Sequence, residues 1–300
     1  MHDQYPIKNF NPGVFVKRIL ILPNPLKPKA IEFTGKLVEM LIFRGFEPVL
    51  ELEISETLDL PDGGYFDFFD WDGIDLVVVL GGDGSMLNAA RRVYPHQIPL
   101  LGINMGQLGY LTRIEINQVE SALDDLKNGD YRFEERAMLS AEVMRAGTMV
   151  GELTGLNELV VAKGASARMI RLETWIDDKY FTTYPADGLI IATATGSTAY
   201  SLSAGGPILD PRLAALLITP ICSHSLYSRP VVLYDKAQIK VILNANHMDI
   251  NLTADGQTMI NLEPGDQINL RRAPFYTRLI YFENQGVFDV LKSHLGEGRI

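Results

Sequence analysis

Leu76-Val77-Val78-Val79-Leu80-Gly81-Gly82-Asp83-Gly84-Ser85-Met86-Leu87-Asn88 runs five large aliphatics straight into a glycine-rich turn and a helix-like start. An unbroken aliphatic run bounded by glycine suits a central parallel strand, buried on both faces. The turn then sits outside the carboxyl end of a strand, where open α/β sheets bind ligands. Gly81, Gly82 and Gly84 let the backbone approach a bulky anion, and the N–H groups opening the following helix are placed to receive phosphate. Asp83 is the odd residue in such a turn. A carboxylate beside phosphates repels them unless it binds a metal or takes a proton, and its plain structural role would be to cap the helix.

Outward from this stretch, short apolar strands alternate with helical patterns. Arg18-Ile19-Leu20-Ile21-Leu22 leads into Pro23-Asn24-Pro25, residues 30–44 carry apolar side chains at helical spacing, and strands are expected at 47–52 and 98–104 before a helix at 119–127. This is βαβ repetition, which predicts a doubly wound parallel sheet over 1–130. Asn128-Gly129-Asp130 supplies the turn chemistry of a boundary. From 131 to 283 the segments shorten and alternate, predicting a second domain that is mostly β and sandwich-like, with strands at 139–144, 156–162, 169–177, 188–193, 238–243, 250–254, 267–271 and 277–282. Val287-Phe288-Asp289-Val290-Leu291-Lys292 reads as a last helix returning, within 284–300, to the first domain.

Composition restricts the function classes. The chain has 300 residues, 47% of them hydrophobic, enough for two cores. No apolar run reaches the ~18 residues of a membrane span, and the polar start Met1-His2-Asp3-Gln4 lacks the regions of a signal peptide, so a cytoplasmic protein is expected. A formal net charge of −10 argues against nucleic acid as a partner. It also means that phosphates must find their cations locally, with Lys27, Lys29, Arg91, Arg92, Arg113, Arg168, Arg171 and Arg229 as candidates. Cys222, the single cysteine, makes neither a disulfide nor a cysteine-based metal site and is expected to be a small buried hydrophobe.

Further clusters carry chemistry. Asn157-Glu158 places two polar side chains in the apolar run Leu156 to Val161; adjacent strand residues point to opposite faces, so one of the pair faces something polar, with a solvated strand edge as the plain alternative. Then Asp187-Gly188 leads through an apolar strand to Thr195-Gly196-Ser197-Thr198-Ala199-Tyr200, a hydroxyl-rich turn able to grip a ribose, an amide or a phosphate, or simply to cap a helix. No Gly-x-x-x-x-Gly-Lys-Ser/Thr occurs, which argues against a P-loop kinase, and the protein-kinase signatures are missing as well.

In order and approximate spacing, Gly81-Gly82-Asp83-Gly84, Asn157-Glu158, Asp187-Gly188 to Tyr200, and Asp255-Gly256-Gln257 resemble the NAD kinases, particularly the bacterial ones. The Asn24-Pro25 to Lys29 turn and the stretch 102–111 are also similar to that family, and the likeness covers roughly 18–290. Gly-Gly-Asp-Gly alone also occurs in lipid, sphingosine and phosphofructo-kinase relatives, so the segment 187–200 is the discriminating one. The resemblance implies transfer of the terminal phosphoryl of ATP, or of polyphosphate, to the 2′-hydroxyl on the adenosine ribose of NAD, giving NADP.

Under that resemblance Asp83 is the catalytic residue, orienting the hydroxyl and accepting its proton late in the transfer, with Asp83 as a metal ligand as the alternative. Magnesium, held mainly by phosphates and water with no protein ligand firmly assigned, would neutralise charge. Gly81, Gly82 and Gly84 would bind phosphate; Asp83, Gly84, Asn157, Glu158, Arg168, Thr198, Ala199, Tyr200, Ser201, Leu202, Ser203 and Gln257 would contact NAD, and Asp187 its nicotinamide end. Asp255-Gly256 reads only as the turn presenting Gln257, and Tyr110 either stacks on adenine or is a buried aromatic. The site would lie between the domains, and the family implies a homodimer or homotetramer and makes feedback by NADPH plausible.

The chain departs from the family pattern where Ala194 and Ser223 stand in place of prolines and where Pro185 stands in place of a basic residue. These departures bear on turn rigidity and on the choice of NAD against NADH, and they remove no proposed catalytic group. The competing functions are another small-molecule or lipid kinase of the Gly-Gly-Asp-Gly superfamily and a dinucleotide sensor without turnover.

Overall fold

The computed structural model describes residues 16–58, 64–66, 71–106, 109–165 and 168–282. The chain divides into two compact units, one comprising the chain up to Glu134 and again from Thr277, the other Glu135–Tyr276. The expected helix at 287–292, and with it the return of 284–300, lies outside the described residues.

The first unit contains β1 (Arg18–Pro23), α1 (Pro28–Phe43), β2 (Glu47–Glu51), α2 (Leu52–Leu58), β3 (Gly64–Phe66), β4 (Leu76–Gly81), α3 (Asp83–Val93), β5 (Leu100–Asn104), β6 (Ile114–Glu115) and α4 (Val119–Asn128). The strand order is β3-β2-β1-β4-β5, with β6 on β5, and all these pairings are parallel. All six residues of β4 are buried, as its unbroken aliphatic run requires. Alternation divides the sheet's side chains: Ile19, Ile21, Leu76, Val78, Leu80, Leu101 and Ile103 pack with Leu37 and Leu41 of α1 and with Leu123 and Leu126 of α4. Val77 and Val79 are buried on the other side of the pleat, while α3 packs on β4 and β5. The α4 helix ends at Gly129, whose φ of 80° is the left-handed cap read from Asn128-Gly129-Asp130.

The second unit is a β-sandwich. Its strands are β7 (Arg132–Arg145, entering from the first unit), β8 (Thr148–Gly155), β9 (Glu158–Lys163), β10 (Ile170–Ile176), β11 (Lys179–Ala186), β12 (Gly188–Thr193), β13 (Ala215–Ile221), β14 (Val231–Tyr234), β15 (Ile239–Asn244), β16 (Ile250–Ala254), β17 (Thr258–Asn261) and β18 (Gln267–Tyr281, leaving to the first unit). Tyr200–Ser203 forms a single helical turn, α5. One sheet has the order β14-β13-β12-β9-β16-β17, and its neighbours pair antiparallel; the other face is built on β11-β10-β15-β18 and on the β7-β8 hairpin. Leu159, Val161, Leu189 and Ile191 meet Ile170, Leu172, Val241 and Leu243 in the sandwich core. Val160, Ile190, Ala192 and Leu217 form a smaller cluster on the reverse of the first sheet, so β12 is buried on both faces.

Two expectations change here, and one alternative is removed. The strands expected separately at 267–271 and 277–282 are one continuous strand, β18, which runs on through the exposed Pro274. Cys222 is exposed rather than buried: it follows β13 in a left-handed conformation, φ 46°, where its side chain leaves the sheet. Glu158 is not a solvated edge residue; β9 is flanked by β12 and β16, and Glu158 is buried. No helix among the described residues is long and apolar enough to cross a membrane.

Candidate active site

The phosphate-friendly turn forms as the sequence requires. β4 ends at Gly81, Gly82 is extended (φ −133°, ψ −168°), and Asp83 opens α3, so the carboxylate stands at the positive end of the helix. The carboxylate does not cap its own helix; it braces a loop far along the chain. Asp83 Oδ2 accepts the Tyr110 N–H at 2.8 Å, while Oδ1 accepts the N–H groups of Leu111 at 3.0 Å and Thr112 at 3.2 Å and the Thr112 hydroxyl at 3.3 Å. A Cβ on Gly109 would overlap this carboxylate, which is why the loop enters through glycine. Tyr110 is half-buried, and its phenol is raised by desolvation and then by the Asp83 charge.

Around the turn, Asn24 Nδ2 donates to Ser85 Oγ at 3.0 Å, and Asn104 exchanges hydrogen bonds with the Gly106 backbone at 2.9 and 3.1 Å. A Cβ placed on Gly82 would lie 3.9 Å from the Lys27 ammonium nitrogen, and one on Gly106 3.5 Å from it. Lys27 is therefore brought to the Gly-Gly turn. Arg92 is paired with Glu51 at 2.6 Å, and the buried Arg113 stacks over Tyr281 at 4.1 Å.

In the second unit the polar candidates fall at two ends of the β9–β12 ladder, whose register sets Ala192 opposite Glu158 and Gly188 opposite Ala162. At the first end, Thr193 donates its N–H to the Asn157 carbonyl at 2.9 Å and its hydroxyl to the Leu156 carbonyl at 2.7 Å. Gly196 packs on the Asn157 backbone so tightly that a Cβ would overlap the carbonyl. Glu158 also accepts the Tyr200 N–H, so Asn157-Glu158 and the 195–203 segment meet directly. Burial, and then the nearby Asp255 charge, push Glu158 up to about 7.

Within that segment, Ser201 is fully buried, with its hydroxyl 2.8 Å from Thr219 Oγ1, whereas Tyr200, Leu202 and Ser203 are exposed and Thr198 and Ala199 half-buried. Ala194 adopts φ −59°, the value proline would impose, and Ser197 locks the turn by donating its hydroxyl to the Ala194 carbonyl at 2.7 Å. Gln257 is exposed at this same end, just beyond Asp255.

At the other end stands Asp187, 3.2 Å from Lys163 Nζ, with its carbonyl accepting the Lys163 N–H at 3.0 Å. Exposed Arg168 lies on this side too, its carbonyl 3.1 Å from His247 Nε2. Arg136 and Lys163 went unread in the sequence, and Asp255 was read only as a turn residue. Arg136 is 2% exposed and donates to Thr195 Oγ1 at 3.3 Å; a charge in the alternating run of β7 was the available signal. For Asp255 nothing local separates its inward-turned carboxylate from that of an ordinary Asp-Gly turn.

A glycine turn at the carboxyl end of a parallel strand, with a carboxylate and an ammonium beside it, suits a phosphate-bearing ligand, and the β unit separately gathers hydroxyls, an amide and a buried carboxyl. Family models bear this out: the ATP-NAD kinase N-terminal domain matches residues 19–131 and the ATP-NAD kinase C-terminal domain residues 156–282. The NAD kinase of Geotalea daltonii is 42% identical over 283 residues, covering 94% of this chain and 99% of its own, and that of Carboxydothermus hydrogenoformans is 45% identical over 224 residues, covering 75% and 80%. Among solved structures, a yeast NADH kinase complexed with NADH superposes with a TM-score of 0.87 at 24% identity, covering 95% of this chain and 89% of its own. An Archaeoglobus fulgidus NAD kinase in complex with ATP gives 0.72 at 24% identity, covering 93% and 98%, and the two together show the shared fold. The chain belongs to the NAD kinase family.

Proposed function

We propose that this enzyme transfers the terminal phosphoryl of ATP to the 2′-hydroxyl on the adenosine ribose of NAD, forming NADP, and that Asp83 takes the hydroxyl proton. The observation that carries the assignment is the state of the Asp83 carboxylate. Oδ1 accepts three donors and is committed, whereas Oδ2 accepts one and keeps a lone pair for the substrate hydroxyl. As the oxygen–phosphorus bond forms, the O–H bond breaks and its proton passes to Oδ2 while ADP departs. Phosphoryl transfer asks mainly for alignment and charge neutralisation, so a late and weak base suffices.

Gly81, Gly82 and Gly84 would seat the donor phosphates against the start of α3, and Lys27 would supply a local cation in a chain of net charge −10. Among the described residues no three His, Cys, Asp or Glu side chains converge on one point. With Asp83 engaged by backbone donors, the donor set fits a magnesium ion carried by nucleotide phosphates and water. When bound, that ion offsets the charge on the transferring group.

Asn157, Glu158, Thr198, Ala199, Tyr200, Leu202 and Ser203 would line the NAD subsite, with Gln257 at its margin; the buried Ser201 shapes it from behind. Asp187 would face the nicotinamide end with its charge partly met by Lys163, and Arg168 would add a cation there. The reading extends to polyphosphate as a second donor, to a cytoplasmic setting where ATP and NAD circulate, and to a homodimer or homotetramer. In support of the last, the edge strands β11 and β14 expose Tyr180, Phe181, Val232 and Tyr234. Incubation of the pure protein with NAD, magnesium and ATP or polyphosphate, followed by an NADP-specific dehydrogenase, should show NADP accumulating. No NADP with either donor would refute the assignment.

A further inference from the structure

Asp255 follows β16 in a left-handed conformation (φ 50°) together with Gly256 (φ 64°), the backbone of a tight hairpin. A hairpin needs no more of Asp255 than that, yet its side chain turns back onto another strand. Oδ2 accepts the Leu156 N–H at 2.9 Å; Oδ1 accepts those of Asn157 at 2.8 Å and Glu158 at 3.1 Å. In return the Asp255 N–H donates to the Glu158 carbonyl at 3.0 Å. The carboxylate is 8% exposed, and the space around it is filled: a Cβ on Gly155 would lie 2.9 Å from the Glu158 carbonyl oxygen and 3.0 Å from Asp255 Oδ1. Three consecutive N–H groups aimed at one buried carboxylate fix the backbone of 156–158 far more tightly than strand pairing would, because each unmet donor would cost a buried hydrogen bond. What that backbone presents is Asn157, half-buried, and Glu158, 7% exposed, whose Oε2 is buried without a hydrogen-bond partner among the described residues.

We infer that Asp255 is a positioning residue for dinucleotide recognition: by clamping 156–158 it aims Asn157 and the unmet oxygen of Glu158 at the bound NAD. This rests on the reading that Asn157 and Glu158 contact NAD. A second consequence is electrostatic. The charged group acting on Glu158 is Asp255 beyond β16, and the Tyr200 N–H of α5 donates to it; β12, opposite it, brings no titratable side chain in Gly188–Thr193. Burial first, and then the Asp255 charge, raise the Glu158 carboxyl to about 7, so Asp255 fixes the aim of that group and adds to its proton affinity.

The test is NAD and ATP kinetics, with calorimetric NAD binding across pH, for Asp255→Asn and Asp255→Glu beside Asn157→Ala and Glu158→Gln. Asp255→Asn should raise KM for NAD by roughly tenfold or more with KM for ATP little changed, and should move the pH midpoint of NAD binding below that of the wild type. Asp255→Glu, which keeps the charge but displaces the clamp, should raise KM for NAD while keeping the midpoint near its wild-type value; it carries the test alone if Asp255→Asn does not fold. A folded Asp255 variant with wild-type KM for NAD and an unmoved midpoint, while Asn157→Ala is impaired, would overturn the positioning role. Should Asn157→Ala and Glu158→Gln both bind NAD normally, the assignment of NAD to this turn would fall first, and the inference with it.

Discussion

Asp83 and Asp255 perform the same structural act in different surroundings. Each carboxylate gathers three consecutive backbone N–H groups from a distant segment, 110–112 for Asp83 and 156–158 for Asp255. They differ in cover and in what they leave open. Asp83 is half-exposed at the head of α3, and its Oδ2 retains capacity for one more partner. Asp255 is buried, and the open oxygen beside it belongs to its neighbour Glu158. On the proposed reading a shared clamp would serve two ends: in the first unit the clamping group itself would meet the chemistry, and in the second it would aim other groups.

The comparison can be strained from either side. The largest expected effect is at Gly109, where a methyl group overlaps both Asp83 carboxylate oxygens; Gly109→Ala should lower stability by more than about 3 kcal/mol, seen in denaturant titration, and abolish turnover. Next comes the charge of Glu158, which burial and then Asp255 hold in check. Glu158 rises from 4.5 to about 7 on folding, so its protonated form stabilises the fold fully below 4.5, and that contribution is lost as pH rises to about 7. Glu158→Gln, neutral at every pH, should therefore be more stable than the wild type at pH ~8, by an amount on the order of 2 kcal/mol, and the advantage should vanish near pH ~4.5, as read from melting temperatures. Smaller still, Gly155→Ala presses a methyl on the Glu158 carbonyl and the Asp255 carboxylate with less overlap than at Gly109 and should cost about 1 to 2 kcal/mol. If Gly155→Ala proved as damaging as Gly109→Ala, the two clamps would not differ in tightness as described.

What was legible in the sequence follows from how local each signal is. The β4 run, the glycine turn and the Asn128-Gly129-Asp130 stop are contiguous patterns whose backbone chemistry acts within a few residues, and they place the parallel sheet and its strand-to-helix glycine turn. The burial of Glu158 was not legible, because it depends on β9 lying between β12 and β16, a pairing that no neighbour of Glu158 announces. Asp255 was hidden for the same reason: an Asp-Gly hairpin looks alike whether its carboxylate faces water or closes onto a strand about 100 residues away. Cys222 misled because its hydrophobic character says nothing of a left-handed exit from β13. Lys163 and Arg136 act through register and burial, which the sequence carries only globally.

Replacing Asp83 bears most directly on the claim that this carboxylate takes the proton. Asparagine preserves the shape and, with its carbonyl oxygen in place of Oδ1, keeps the donors at 111–112; its amide nitrogen then stands where Oδ2 accepted the Tyr110 N–H. Measured by rapid-quench turnover with calorimetric NAD binding on the same preparation, Asp83→Asn should lose roughly two or more orders of magnitude in kcat while NAD affinity stays near that of the wild type. Near-wild-type kcat, or a loss of rate fully matched by a loss of NAD affinity, would contradict the assignment of Asp83 as the proton acceptor.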